Sequence, residues 1–396
     1  MAVLLILAGC GGSGGDSGGG GAVPGPTPKP VPTSTPTPVP TSTPTPIPTP
    51  TPSTPTTSVT STVIGTFSDP WALTFLPDGR MLVTEKGGTL HLVDQQGNRS
   101  PVPGLPEVSV SGQTGLHDVV TDPAYSGNGR IWFSYAEPVA GGGSRVAVAN
   151  AVLAFEGSPR VEQVNVVWRA NVTAAGGHPG GRIAFGPDGY VYISSGERQQ
   201  GAPALDLTKT IGKIIRITTD GQPAPGNPFL GGSDVNAEIW SYGHRNPYGL
   251  VFSVDGQLLE SEMGPEGGDE FNRIRAGANY GWDRVSEGNA YGGPPYPKHS
   301  TDTSVTAPAY SWSPVIAPGG MIQYTGSRFV GWNGDFVLAG LVSRGLVRVR
   351  FDGNTATEVA RIDLGARIRE VEQGPDGTIW VLEDGADGRL RRLDPN

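Results

Sequence analysis

Short apolar runs joined by tight turns recur along the chain from Val63 to the C-terminus. In each repeat an apolar residue precedes an Asp-Gly or Asn-Gly pair, and a strand-like run follows. The turns are Asp78-Gly79, Asn128-Gly129, Asp188-Gly189, Asp255-Gly256, Asn333-Gly334 and Asp376-Gly377. Such pairs between apolar runs are the strongest short-range signal for a β-hairpin. Six repeats at the period of propeller blades predict an all-β, six-bladed β-propeller over residues 63–396. A β-sandwich with similar turns is the alternative.

The segment before the repeats has a different amino-acid composition. Residues 11–21 are almost all Gly, Ser and Asp, and residues 23–58 alternate Pro with Thr, Ser and Val. Repeated proline fixes φ and removes backbone donors, which favours an extended polyproline II spacer. Because the segment has no apolar periodicity, it cannot form a core. Residues 11–62 are therefore predicted to be a disordered Gly/Ser and Pro/Thr-rich linker.

The first ten residues suggest export. Leu7-Ala8-Gly9-Cys10 resembles a bacterial lipobox, which implies a lipoprotein signal peptide over residues 1–10 and lipidation of Cys10. The apolar run is much shorter than the roughly 20 residues of a transmembrane helix. We therefore expect an exported lipoprotein, periplasmic or on the cell surface, that contacts the membrane only through its lipid. A short apolar start with a chance cysteine is the alternative.

Composition narrows the function classes. The 396 residues include 61 Gly and 38 Pro but only 16% charged residues, which suits short strands and turns. The net charge is −9 without a basic run, so a nucleic-acid partner is not expected. Cys10 is the single cysteine, which excludes a disulfide, a cysteine-ligated zinc and an iron–sulfur cluster within the propeller.

One of the five histidines stands in a loop suited to chemistry. His178 lies in Gly-Gly-His-Pro-Gly-Gly-Arg, where flanking glycines let a ligand approach the backbone. A near-neutral pKa suits a general base. His91 alternates within a strand and is predicted to be structural. His299 lies in a polar insertion and is predicted to be exposed.

Three further clusters could bind an anionic ligand and a cation. Arg245 and Asn246 in GHRNP offer donors to carboxylate or quinone oxygens. Carboxylates among glycines in SEMGPEGGDE, followed by NYGW, suit calcium. Arg367 and Arg369 are two apart in a predicted strand, so both face one side and need an anion between them. Singly, each cluster could be an ordinary surface feature. Together they fit an acidic quinone held over calcium beside one base.

These motifs resemble the soluble glucose/sorbosone dehydrogenases that use pyrroloquinoline quinone (PQQ), especially their aldose sugar dehydrogenase branch. The resemblance extends from about Asp69 to Asp394. It is carried by GQTGL at 112–116, the His178 loop, GHRNP at 243–247, EMGPEGGDE with NYGW, and RIRE at 367–370. It implies oxidation of aldoses at C1 to the lactone, with electrons passing to an external quinone or cytochrome.

The resemblance also implies residue roles. His178 matches the base, and Glu197 stands where the family usually has the Asp that orients it. The implied cofactor-binding residues are Gln113, Arg245, Asn246, Arg367 and Arg369, with Arg344 nearest to a cofactor-contacting lysine of the family. The implied calcium ligands are the carbonyls of Gly264 and Pro265 beneath the cofactor, and Glu270 and Tyr280 at a structural calcium.

Two other functions remain compatible with the sequence. A calcium-dependent propeller lactonase or esterase would hydrolyse its substrate without a quinone and would give Arg367 and Arg369 no role. A non-enzymatic, surface-anchored binding propeller would tolerate mutation of the His178 loop. Within the resemblance, Ser313 and Val315 replace a Trp and a Thr of glucose-specific members, which predicts broad aldose tolerance.

Overall fold

The computed structural model describes residues 58–396 and contains six four-stranded antiparallel sheets, named here blades 1 to 6. Blade 1 contains β2 (Pro70–Phe75), β3 (Met81–Glu85), β4 (Thr89–Val93) and β5 (Arg99–Pro101). Blade 2 contains β6 (Leu116–Thr121), β7 (Arg130–Pro138), β8 (Ser144–Ala154) and β9 (Arg160–Arg169). Blade 3 contains β10 (Gly180–Phe185), β11 (Val191–Ser195), β12 (Lys213–Ile217) and β13 (Ile239–Tyr242).

The second half of the ring has the same organisation. Blade 4 contains β14 (Pro247–Phe252), β15 (Leu258–Glu262), β16 (Asp269–Arg273) and β17 (Tyr310–Trp312). Blade 5 contains β18 (Pro318–Gln323), β19 (Phe336–Gly340), β20 (Gly345–Phe351) and β21 (Ala356–Asp363). Blade 6 contains β22 (Ile368–Gln373), β23 (Ile379–Glu383) and β24 (Gly388–Pro395), with β1 (Val59–Phe67) as its fourth strand.

The innermost strands of the blades form a closed ring. Strands β2, β6, β10, β14, β18 and β22 each contact the next, and β22 contacts β2. Between adjacent blades lie six apolar clusters, one at each blade interface. The predicted six-bladed propeller is therefore confirmed.

Blade 6 joins the two ends of the described chain. Strand β1 runs antiparallel to β24, and the pairing begins with Val59 opposite Pro395 and ends with Phe67 opposite Gly388. The propeller therefore starts at Val59, four residues before the expected boundary at Val63. Residues 59–62 belong to this strand because the outer edge of β24 gives their polar sequence a backbone partner.

The six Asp-Gly and Asn-Gly turns have one common place in the fold. Each joins the innermost strand of a blade to the second strand. Their glycines have φ between +62° and +88°, a region that side-chain-bearing residues rarely adopt. The repeat read from the sequence therefore marks one hairpin per blade, and all six turns lie at the same end of the blades.

Helical structure is minor in the described range. It consists of the single turn α1 (Tyr125–Asn128) and the 3₁₀ turns Ala202–Ala204 and His299–Thr301. None of these described helices has the length and apolarity to span a membrane. The predicted signal peptide, Cys10 and most of the predicted linker lie outside the described residues.

Candidate active site

The residues singled out in the sequence lie at the end of the blades opposite the six turns. His178 and Arg245 precede an innermost strand, Glu197 follows a second strand, and Glu270 lies at the start of a third strand. In every blade the register between these two strands shifts near this end. Such irregularities redirect side chains and are common beside active sites. The blades thus point side chains from distant sequence positions toward the ring axis.

His178 forms a buried pair with Glu197. Its Nδ1 lies 2.5 Å from Glu197 Oε1, and the side chains are 9% and 2% exposed. Glu197 Oε2 accepts hydrogen bonds from the backbone N–H groups of Gln200 and Gly201, the latter at 2.8 Å. The carboxylate is therefore held on both oxygens. The extra methylene of Glu relative to Asp does not prevent the contact.

The pair has the electrostatics of a neutral base and an ionised carboxylate. Burial lowers the pKa of His178 below its usual 6.5, although the hydrogen bond that His178 donates to Glu197 partly opposes this effect. Burial raises the pKa of Glu197, but hydrogen bonds from His178 and the Gly201 N–H more than offset it and the pKa is lowered. Among the described residues His178 Nε2 has no hydrogen-bond partner. That nitrogen can accept a proton near neutral pH.

Close backbone packing fixes the His178 loop. A Cβ on Gly176 would lie 2.2 Å from the backbone oxygen of Ser111, so a residue with a side chain does not fit there. His178 itself has φ of +34°, an uncommon value for a residue with a side chain. Its N–H donates to Gln113 Oε1 at 2.9 Å, and Gln113 N–H donates to Gly176 O at 2.7 Å. Gln113, which is exposed, therefore ties the predicted cofactor-binding segment to the base.

Arg245 and Asn246 lie beside the same loop. Both backbone N–H groups donate to Glu262 Oε2, at 2.5 and 3.1 Å. Asn246 Oδ1 accepts from Gly180 N–H at 3.3 Å. Arg245 donates from Nη1 to Met263 O at 2.9 Å, while its buried Nε has no partner among the described residues. The unused donor leaves Arg245 capacity for an anionic or carbonyl ligand.

A cavity of about 150 Å³ extends from Gln113 toward blade 6. Its wall combines two aromatic rings with charged and polar groups from blades 1, 4 and 6 and the segment before blade 2. The lining residues are Asp69, Pro70, Trp71, Lys86, Gly112, Gln113, Tyr248, Arg369 and Asp384. Flat apolar faces next to cations suit a planar, acidic ligand.

Arg367 and Arg369 do face one anion, but the protein supplies it. Arg367 Nε donates to Asp384 Oδ2 at 2.9 Å, and Arg369 Nη2 donates to Asp384 Oδ1 at 2.6 Å. The sequence-based argument that an external anion must separate the two cations is therefore wrong. Arg369 lines the cavity and is partly buried, whereas Arg367 is exposed and is absent from its lining.

Arg344 does not join the other predicted cofactor residues in the cavity lining. It is exposed, has φ of +58°, and donates from Nη2 to Gly365 O. The expectation that it takes the place of a cofactor-contacting lysine is not supported by this position. Lys86 does line the cavity, and sequence reasoning missed it. It stands alone in a β-turn, so only the folded ring brings it to the other residues.

The predicted calcium loop has oxygen ligands available. Within the described chain, the carbonyl oxygens of Gly264 and Pro265 accept no hydrogen bond. Asp269 Oδ1 holds the loop by accepting from Gly264 N–H at 2.8 Å. A neighbouring cavity of about 10 Å³, the size of one water molecule or ion, is lined by Gly264, Glu262 and Glu270. These hard oxygen groups fit Ca²⁺.

Glu270 and Tyr280 are bridged by a histidine expected at the surface. His299 Nε2 lies 3.0 Å from Tyr280 O and 3.7 Å from Glu270 Oε1. His299 is only 4% exposed, so the prediction that it is exposed is wrong. The Tyr280 hydroxyl donates to Arg273 O at 2.5 Å. Because the hydroxyl is already engaged, the predicted structural calcium could bind only to the carbonyl oxygen of Tyr280 and to Glu270. His299 would then have to move away from both groups.

An acidic cluster that the sequence reading missed lies between blades 3 and 4. His244, Glu260 and Glu262 are buried and place potential ligand atoms within 4.8 Å of one another. Burial raises the pKa of Glu260 well above its usual value, and nearby Glu262 raises it further. The sequence signal for this cluster was the alternation in Leu-Glu-Ser-Glu, which places both Glu side chains on one face of β15.

A buried cation connects several blades at the axis. Arg182 Nη1 lies 3.2 Å from Asp118 Oδ1 and contacts Glu370 Oε2. Its Nε donates to Tyr248 O at 2.7 Å, and its guanidinium lies 4.3 Å from the Trp71 ring centroid. Burial raises the pKa of Glu370 to about 7, although Arg182 opposes the shift. The network therefore holds Trp71 and Tyr248, the two aromatic residues that line the cavity.

Known proteins are similar to this chain over most of its length. Residues 67–392 match the family model "Glucose / Sorbosone dehydrogenase". Aldose sugar dehydrogenase YliI of Escherichia coli is 37% identical, with 82% of this chain and 90% of that protein covered. Quinoprotein glucose dehydrogenase B of Acinetobacter calcoaceticus is 25% identical, with 84% and 86% covered.

Solved structures show the same relationship. The apo form of soluble aldose sugar dehydrogenase from Escherichia coli superposes with a TM-score of 0.82 at 36% identity, covering 86% of this chain and 100% of that one. The PQQ-bound aldose sugar dehydrogenase from Streptomyces coelicolor gives 0.72 at 27% identity, covering 87% and 100%. The resemblance read from the motifs is confirmed, and the chain belongs to the glucose/sorbosone dehydrogenase family.

Proposed function

We propose that the protein oxidises aldoses at C1 to the lactone, using PQQ and calcium and passing electrons to an external quinone or cytochrome. The observation that carries the proposal is the buried His178–Glu197 pair, whose free Nε2 lies on a loop tied to the cavity through Gln113. Family membership supports a sugar oxidoreductase in general. PQQ is the cofactor named for the Streptomyces coelicolor relative.

The chain's own residues can remove the proton that is released when the sugar is oxidised. His178 Nε2 accepts the proton of the sugar's anomeric hydroxyl, and Glu197 on Nδ1 orients the ring and stabilises the imidazolium that forms. PQQ, when bound, supplies the two-electron acceptor for the hydride from C1. Burial keeps His178 neutral at pH 7, so the base is in its active form before the sugar binds.

Several groups fit the cofactor and its cation. Arg369 and Gln113 on the cavity wall, with Arg245 and Asn246 beside the base, would hold an acidic quinone. Trp71 and Tyr248 offer ring faces to a planar molecule. The free carbonyls of Gly264 and Pro265 would hold Ca²⁺, which polarises oxygen atoms as a Lewis acid.

One assay separates this function from its rivals. Protein prepared without cofactor is given Ca²⁺ and PQQ, and reduction of an artificial dye is followed on addition of several aldoses. We expect dye reduction that requires PQQ and tolerates more than one aldose. Lactone or ester hydrolysis without PQQ would instead favour the lactonase. Sugar binding without turnover would favour the binding propeller.

We also propose that the protein is an exported lipoprotein held to a membrane through Cys10. The support is the Leu-Ala-Gly-Cys sequence at 7–10. Cys10→Ser should move the protein from the membrane fraction to the soluble fraction of the producing bacterium. Retention of the variant in the membrane fraction would contradict lipid anchoring.

A further inference from the structure

Lys86 lies on the wall of the 150 Å³ cavity with its ammonium only loosely engaged. Its Nζ is 4.0 Å from Asp69 Oδ1, beyond hydrogen-bond distance. Within the described residues 58–396, the ammonium donates no hydrogen bond. An ammonium group has three donors, and here all three remain available. The side chain is 28% exposed, so it is accessible from the cavity.

The backbone around Lys86 is fixed. Lys86 N–H donates to Asp69 O at 2.9 Å, and Lys86 O accepts from Leu116 N–H at 3.0 Å. A Cβ on Gly115 would lie 2.5 Å from Lys86 Cγ, so the glycine lets the aliphatic stem pack closely. The stem therefore leaves a rigid position, and only the outer part of the side chain can move.

The other cation on the cavity wall is already shared with a carboxylate. Arg369 donates from both Nε and Nη2 to Asp384 Oδ1, at 3.0 and 2.6 Å. Burial raises the pKa of Asp384, but Arg369 and Arg367 lower it overall, which keeps this carboxylate ionised. Lys86 thus differs from Arg369, because Asp69, the carboxylate nearest to Lys86, accepts no hydrogen bond from its ammonium.

We infer that Lys86 donates a charge-assisted hydrogen bond to a carboxylate of the cofactor bound in this cavity, on the wall contributed by blade 1. The inference rests on the proposed use of PQQ, an aromatic tricarboxylic acid. A ligand with several carboxylates needs cations on more than one side, and blade 1 contributes Lys86 while blade 6 contributes Arg369. Lys86 is then a cofactor-binding residue that the sequence motifs did not indicate.

The test is calorimetric titration of PQQ into the full chain freed of cofactor, in the presence of Ca²⁺. Lys86→Met keeps the stem and removes the charge, and it should weaken binding by about tenfold to a hundredfold. Lys86→Arg should bind within a few-fold of the unmodified protein. Lys209→Met, at an exposed lysine outside the cavity lining, is the matched control and should bind normally.

A second variant separates binding from folding. Asp69→Asn removes the nearby carboxylate and should tighten PQQ binding several-fold, because Lys86 then faces only the ligand. If Lys86 merely stabilised Asp69, both Lys86→Met and Asp69→Asn would lower the melting temperature and leave PQQ affinity unchanged, which would overturn the inference. Failure of the unmodified protein to bind PQQ would instead contradict the proposed function.

Discussion

The 2.5 Å contact between His178 Nδ1 and Glu197 Oε1 determines which imidazole nitrogen is left to react. With Nδ1–H directed at the carboxylate, Nε2 carries the lone pair. His178→Ala should therefore lower kcat/KM for aldose oxidation by about 10²–10⁴-fold, the usual contribution of a general base. His91→Gln, on strand β4 of blade 1, is the control and should retain activity. Full activity of His178→Ala in the dye assay would show that His178 is not the general base.

The same pair predicts a pH dependence with a definite sign. The lowered pKa of His178 keeps the base neutral at pH 7, so kcat/KM should fall only when acidification passes that pKa, below 6.5. The hydrogen bond and charge of Glu197 raise the pKa of His178. Glu197→Gln should therefore shift the acid limb to lower pH while also reducing kcat. A profile that keeps its acid limb unchanged in Glu197→Gln would show that another group titrates.

The calcium loop should tolerate no side chain at Gly264. A Cβ there would lie 2.4 Å from Gly267 O, and nothing lies within 4 Å of a Cβ on Gly127, the control. Saturating Ca²⁺ should stabilise the unmodified protein and Gly127→Ala by about 2.7 kcal/mol at 100 times Kd. Gly264→Ala should lose this stabilisation. Thermal melts with Ca²⁺ and with a chelator measure it, and equal melting temperatures in both conditions would contradict a bound calcium.

The axial network predicts a large stability effect. Arg182→Met leaves Asp118 and Glu370 buried without their counter-charge, which should cost about 3–5 kcal/mol in the free energy of unfolding. Arg80→Met, which breaks an exposed pair with Asp78, should cost about 0–1 kcal/mol. Denaturant unfolding compares the two variants. Similar small losses in both would mean that Arg182 does not offset buried charge.

The fold could be predicted because each blade contains one turn with a local signature. The Asp-Gly and Asn-Gly pairs need a glycine at positive φ, and this requirement is visible in two adjacent residues. The start of the domain could not be placed as well. Strand β1 is held by its pairing with β24, more than 300 residues away, and its Thr-Ser-Thr sequence lacks a clear strand pattern.

The candidate site was easiest to predict where its residues lie in one short motif. His178 was found from its glycine loop, and Glu197 does reach it. The errors concern partners that are remote in sequence. Asp384, which accepts hydrogen bonds from both Arg367 and Arg369, follows β23, and the burial of His299 depends on contacts with Tyr280 and Glu287. A single sequence carries no local signal for such contacts.

The pairing of β1 with β24 also sets an order of events during folding. Blade 6 needs strands from both ends of the propeller, so the ring cannot close until β1 and β24 have paired. Arg369 and Asp384 lie on this last blade and form part of the cavity wall. A chain without β24 would therefore leave β1 and β23 each with an unpaired edge. Completion of the cavity wall, and with it any ligand site in this cavity, therefore depends on strands that lie more than 300 residues apart in the sequence.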